Sequence, residues 1–322
     1  MIDLRMLTRN LFLISSLSTH SPPRISYELC YARYYYEEQS VGKYLMQASH
    51  ETMQCMEVWG GNSATWSYFN APGLEFWIYS QPTGSSLQGG DVYYLSSCAS
   101  GRTTRLLVGD VSGHGEEASP TADSLRNIMR QNVNFIDHTR LVTSINKEFE
   151  QASSSERFAT AVVGTFFLST RNFQLCNAGH PAPLQFCSQS NSWESFRSSD
   201  KKTPPRNLPF GIDVEHQYQS ESCRLRQGDM ILLYTDAISE ALDESGELLG
   251  ANGLTKLINS QPSSEPDKII SSLLESIKKL NSMNLENDDV TLLLARSTLT
   301  RVSLKHELLA PFRFLGRLAG LT

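Results

Sequence analysis

Hydrophobic residues gather in short blocks through the middle of the chain. The blocks LEFWIYS (74–80), DVYYLSS (91–97) and TRLLVGDV (104–111) are rich in aliphatic and aromatic side chains. Glycine, proline or serine clusters bound each one, and this is the signature of strands. The same signature returns in TAVVGTFFL (160–168), FQLCN (173–177), DMILLYTD (229–236) and DDVTLLLAR (288–296). Between the early and later blocks the period changes. Leu125, Ile128, Met129 and Ile136 fall on one helical face, and Leu141, Ile145 and Phe149 continue the theme, so the spacing predicts a helix pair over about 119–151. A further helical region covers roughly 252–281, broken around Pro262 and Pro266, and the polar stretch 188–206 reads as a surface loop or an irregular hairpin. Strands are expected only from about residue 74, with helical character over 28–57 and no regular pattern before residue 26. Strand runs therefore enclose a helical pair, and more helix precedes the last strand. This order lacks the strict alternation of a doubly wound sheet and predicts an α+β layered architecture with mostly antiparallel strands.

Composition changes this picture little. Of the 322 residues, 40% are hydrophobic and 19% charged, as in an ordinary globular protein. A net charge of −6 offers no basic field, so no nucleic-acid partner is expected. The six cysteines, at 30, 55, 98, 176, 187 and 223, form no C-x-x-C pair, which argues against thiolate zinc or dithiol redox chemistry. Scattered cysteines suit a reducing compartment, and a cytoplasmic location is expected. No stretch approaches the roughly 20 apolar residues of a membrane span. Arg5 and Arg9 precede a short apolar run, Leu11 to Leu17, in the manner of a weak signal peptide. A disordered leader or over-extended start is the plainer reading.

Candidate chemistry lies at the strand ends. Asp91 opens VYYL, Asp110 closes RLLV-G, Asp236 closes MILLYT and Asp288 opens the last strand. Each carboxylate is fixed to a rigid element near a sheet rim. Several such groups gathered at one rim repel one another unless cations sit between them. Hard divalent ions such as magnesium and manganese favour carboxylate and water oxygens. Taken singly, an aspartate beside glycine is most often a turn former or helix cap. Spacing alone therefore supports a hard-metal site without establishing that the four ends meet.

Eight blocks occur in order over residues 88–296: QGGDVYYL, LLVGDVSGHG, RFATAVVGTF, CNAGHPAPL, LPFGI, LRQGDMILLYTDAISEA, GELLG and NDDVTLLLAR. Together they resemble the metal-dependent protein phosphatase family (PPM, protein phosphatase 2C-like), in its bacterial SpoIIE/RsbU-type branch. The resemblance covers about 74–297 and suggests a phosphatase domain over 61–297. It leaves an N-terminal extension, 1–60, and a C-terminal tail, 298–322. It implies a four-layer α-β-β-α sandwich of two antiparallel sheets flanked by helices. It also implies a pair of divalent cations, manganese or magnesium, at one end. Carried over by motif, the ligands are Asp91, Asp110, Asp236, Asp288 and the backbone carbonyl of Val111. Asp289 is left to hydrogen-bond nearby backbone or to face solvent. His114 is a candidate general acid beside Asp110, although a turn role is the plainer reading. His180 reads as part of a turn between core strands.

The implied activity is hydrolysis of phosphoserine or phosphothreonine in a phosphorylated protein substrate by a metal-activated water. By family analogy that substrate is a small anti-sigma-factor antagonist, and a regulatory protein acts on helices 119–151. The rival expectation is a pseudophosphatase serving as a signalling scaffold. It rests on Ala237, where the family motif has glycine, and on the want of an obvious phosphate-gripping arginine near the motifs. The tail SLKHELLAPFRFLGRLAGLT could form an amphipathic helix that docks on a membrane surface or a partner, but packing back on the domain is the plainer reading. A homodimer is left open.

Overall fold

The structure, a computed structural model, describes residues 50–52, 58–98, 101–113, 115–153, 157–196, 207–261 and 265–300. These form two stacked sheets with helices on both outer faces. One sheet has the order β1-β3-β4-β13-β12-β9-β10 and the other β11-β8-β7-β6-β5-β2. In the first lie β1 (His50–Thr52), β3 (Thr65–Ala71), β4 (Leu74–Gln81), β9 (Leu184–Cys187), β10 (Ser192–Ser195), β12 (Met230–Tyr234) and β13 (Val290–Ser297). The second holds β2 (Val58–Ser63), β5 (Gln88–Cys98), β6 (Thr103–Val111), β7 (Ala159–Phe167), β8 (Asn172–Ala178) and β11 (Glu221–Arg224). Named strands pair antiparallel throughout, except β1, which lies parallel to β3.

The layers follow from strand alternation. On β6, Leu106 and Val108 face the other sheet, while Leu107 and Val111 face the helices. The inter-sheet layer is filled by Phe76, Ile78, Tyr93, Leu95, Val162, Phe166, Leu233 and Leu293, among others. Helices α1 (Gly115–Asn132) and α2 (His138–Ala152) cover the second sheet through Leu125, Met129, Leu141, Ile145 and Phe149. The first sheet is covered by α3 (Asp236–Ser239), α4 (Gly250–Asn259) and α5 (Pro266–Leu280). Ile269, Ile270, Leu273, Leu274 and Ile277 make one buried stripe on α5, each contributing about 1.5–3 kcal/mol of burial. The Asp137 side chain caps α2 by accepting from the Arg140 N–H at 2.7 Å, and Pro266 opens α5, where a missing N–H costs nothing.

The four-layer sandwich is as expected, but its strands begin earlier. β2 and β3 precede residue 74: Gly60 and Gly61 interrupt β2, and Thr65, Ser67 and Asn70 place polar residues through β3. The helix expected over 28–57 lies outside the described residues except at 50–52, which form β1. The polar stretch after β9 starts as the β9–β10 hairpin, and 197–206 is outside the described residues, as is the tail from 301.

Candidate metal centre

The end of the inter-sheet layer is polar. Two residues beyond Tyr93 on the same face of β5 stands Asp91, and two beyond Val108 on β6 stands Asp110. The ladder sets Asp91 directly opposite Asp110, and Asp110 opposite Thr160 of β7. Directly opposed residues share a face, with Cβ atoms about 5 Å apart. From the other sheet, Thr291 replaces the apolar residues of β13 and Thr235 follows β12. The Thr235 hydroxyl donates to Asp91 Oδ2 at 2.8 Å and accepts from the Thr291 N–H at 2.9 Å, so the two sheets are tied across the site. The Ser80 and Thr291 hydroxyls share a hydrogen bond of 3.0 Å.

This arrangement is electrostatically costly. Asp91 is 2% exposed, and burial, reinforced by the facing Asp110, pushes its carboxyl well above the ordinary range, against the pull of the Thr235 hydroxyl. Asp110 is pushed up to about 8, first by burial and then by the charges of Asp236, Asp288, Asp289 and Glu240. A cation between such groups would offset the cost. The donors are all oxygen, which suits a hard divalent ion. Among the described residues no three carboxylate, histidine or cysteine side chains enclose a single ion as they stand. Ions held here would lean on few side chains, with backbone oxygen and water filling the remaining positions, as hard ions readily accept. On this donor chemistry the residues fit the expected group.

Asp236 opens α3 and lines a cleft of about 410 Å³ with Thr160, His180, Glu240 and Leu248. Asp288 is exposed and lines a second cleft of about 320 Å³ that shares Glu240. The structure thus brings Asp91 and Asp110 together and sets Asp236 and Asp288 around their mouth. The Val111 carbonyl faces Gly90, where an added Cβ would approach it to 3.1 Å. His114 lies outside the described residues. His180 is held firmly in its turn: its ring Nδ1 and the Thr160 hydroxyl are 2.8 Å apart, its backbone N–H donates to Asn177 Oδ1 at 2.7 Å, and burial lowers its pKa to about 3.

Of the two outcomes expected for Asp289, the structure gives the first: it is buried and accepts two backbone N–H groups, from Thr83 and Gly90. Another feature escaped the sequence. Arg157, the first residue of the RFATAVVGTF block, donates to the Ser112 carbonyl at 3.4 Å, beside the loop that follows Asp110. Among the described residues no carboxylate pairs with it. Its place at the head of β7, which is registered against β6, was the available signal. Ala237 also resolves simply. It lies in the first turn of α3 and is not among the residues with positive φ, so no strain follows from the missing glycine.

Comparison with known proteins agrees with this fold. Phosphoserine phosphatase RsbU of Bacillus subtilis is 24% identical over 208 residues, a match spanning 64% of this chain and 59% of that relative's length. The solved RsbU and RsbW domains of Rv1364c from Mycobacterium tuberculosis superimpose with a TM-score of 0.58 at 25% identity, covering 78% of this chain and 70% of that one. The PP2C phosphatase domain of SpoIIE from Bacillus subtilis, solved with a fragment of its regulatory domain, gives a TM-score of 0.58 at 18% identity, over 76% of this chain and 64% of that one, and so shares the fold. The family model described as Stage II sporulation protein E (SpoIIE) matches residues 100–298, more than half of the sequence, and the chain belongs to that family of PP2C-type phosphatases.

Proposed function

We propose that the chain is a metal-dependent protein phosphatase that hydrolyses phosphoserine or phosphothreonine in a protein. The observation that carries this reading is the buried pair Asp91 and Asp110, opposed in one ladder at the mouth of the sandwich. Asp91, Asp110, Asp236, Asp288 and the Val111 carbonyl would hold two manganese or magnesium ions. When bound, such a pair supplies Lewis-acid polarisation of the phosphate and a water of lowered pKa. The protein's own part is positioning. Thr235 orients Asp91, and the buried strands keep the carboxylate pair rigid. Arg157 is the cation we assign to the phosphate oxygens, because guanidinium geometry suits a phosphate and no described carboxylate competes for it. The cleft along Asp236 and Leu248 has room for residues flanking the phosphoamino acid.

By family analogy, the substrate class we propose is a small phosphorylated antagonist of an anti-sigma factor, in bacterial regulatory signalling in the cytoplasm. A regulatory protein would act on α1 and α2. The Ser119 hydroxyl of α1 donates to Gln88 Oε1 at 2.9 Å, at the start of the strand that carries Asp91, so a shift of α1 is mechanically joined to the site. Among the described residues no helix is long and apolar enough to cross a membrane. The scaffold alternative loses the argument from Ala237.

The test is turnover of p-nitrophenyl phosphate and of a phosphoserine protein by the purified chain. Activity should require manganese or magnesium and vanish with chelator. Turnover that persists in chelator would overturn the metal reading, and absence of turnover with either ion would favour the scaffold.

A further inference from the structure

The second aspartate of the Asp288–Asp289 pair is 4% exposed and continues the inward-facing side of β13, two residues beyond Thr291. Its carboxylate spans two parts of one excursion of the chain. Oδ1 accepts from the Thr83 N–H at 2.7 Å, and Oδ2 accepts from the Gly90 N–H at 2.6 Å. Residues 82–87 link β4 to β5, so this one group closes the whole connection onto the start of β13. A second tie reinforces it, from the Thr83 hydroxyl to the Glu286 carbonyl at 3.2 Å.

The glycines of the QGGD block are shaped around this contact. A Cβ on Gly89 would lie 2.4 Å from Asp289 Oδ2, 2.6 Å from its Cγ and 2.7 Å from Oδ1. No side chain fits there while the carboxylate is in place. A Cβ on Gly90 would meet Ala118 Cβ at 3.0 Å, the Gly113 carbonyl at 3.0 Å and the Val111 carbonyl at 3.1 Å. Gly89 thus admits Asp289 on one side of the strand, and Gly90 lets the strand close on Val111 on the other. Asp91 is the next residue.

We infer that Asp289 is a positioning residue for the metal centre: by clasping Gly90 and Thr83 it fixes Asp91 opposite Asp110 and seats the Val111 carbonyl. Both of its oxygens are engaged by backbone N–H groups, so it acts through the ligands rather than as one of them. This inference rests on the metal reading above. Loss of the clasp would loosen the ligands without removing any. Asp289→Asn keeps the shape but turns an N–H donor toward one of two backbone donors, which leaves that bond unmade. Gly89→Ala displaces the same carboxylate sterically from the other side.

The experiment measures manganese binding by titration calorimetry and the manganese dependence of p-nitrophenyl phosphate turnover in the wild type, both single variants and the double variant. Each single variant should weaken manganese binding about 10–100-fold, the size expected for partners that orient a ligand. The rate at saturating manganese and the KM for p-nitrophenyl phosphate should stay within about threefold of wild type. The double variant should be no worse than the weaker single, because both remove one contact. Unchanged affinity in Asp289→Asn, or additive losses in the double variant, would overturn the clasp. A wild type that binds no manganese would instead overturn the metal reading. Should the variants fail to fold, amide exchange in the metal-free wild type decides. The Gly90 and Thr83 amides should be protected like those of neighbouring β5 residues, and exchange at the rate of an open loop would overturn the proposal.

Discussion

The body and the mouth of the inter-sheet layer are built from the same strands and the same faces, yet they do opposite things. Along β6 the face runs Leu106, Val108, Asp110, and along β5 it runs Leu95, Tyr93, Asp91. On β13 it runs Ala295, Leu293, Thr291, Asp289, and on β7 it runs Phe166, Val162, Thr160. Within one pleat of each strand, apolar packing gives way to carboxylates and hydroxyls. The body supplies stability. The mouth spends some of it, since two opposed and buried carboxylates disfavour the metal-free fold. The rigidity of the first is what allows the second to hold like charges close together.

The largest expected effect tests the body. Phe166→Ala, at a fully buried position, should cost about 3–5 kcal/mol in urea unfolding while leaving the manganese affinity of the folded fraction unchanged. A selective loss of metal binding there would blur the distinction between the two regions. Next comes the mouth. Asp110→Asn should fold normally yet lower turnover at saturating manganese at least ~100-fold, in line with the several kcal/mol a charged ligand contributes. Retention of more than a tenth of wild-type rate would remove Asp110 from the centre.

How much of this contrast can be read from sequence depends on what neighbours each residue. The four strand-end aspartates stand out because each closes or opens an apolar run. Their mutual register does not, since Asp91 and Asp110 become partners only when β5 and β6 pair. β13 shows the limit most clearly. Val290, Leu292 and Leu294 face the helices and Leu293 and Ala295 the other sheet, so hydrophobicity is silent about faces and hence about Asp289. β2 was hidden for a different reason. Gly60 and Gly61 weaken its strand signature, yet Gly60 is required where a Cβ would come within 2.8 Å of the Tyr93 carbonyl.

A smaller effect concerns acid. Burial lowers the pKa of His138 to about 4 and of His180 to about 3, so both are neutral in the folded protein. The unfolded chain, with ordinary histidines near 6.5, binds protons first as pH falls. The stability these two histidines contribute is therefore fully present above about 6.5 and is lost from there through the folded values, while the raised Asp91 and Asp110 carboxyls act in the opposite direction in the metal-free protein. For His138 alone the loss approaches about 3 kcal/mol by pH 4. His138→Gln should flatten that limb of the stability curve without altering manganese dependence, and an unchanged slope would show the imidazole is not buried neutral. The smallest effect belongs to Ala237. Ala237→Gly should lower stability by no more than ~1 kcal/mol, as for glycine in a helix, and leave turnover within about twofold. A large gain in rate would mean the missing glycine does impair the site.

The most direct test of the central claim is the melting temperature of wild type and Asp110→Asn, each in chelator and in manganese. If Asp91 and Asp110 form a pair of repelling carboxylates that a cation reconciles, Asp110→Asn melts higher than wild type in chelator. Manganese then raises the wild type with increasing concentration and inverts the order. Equal manganese shifts in both proteins, or none in the wild type, would contradict the account.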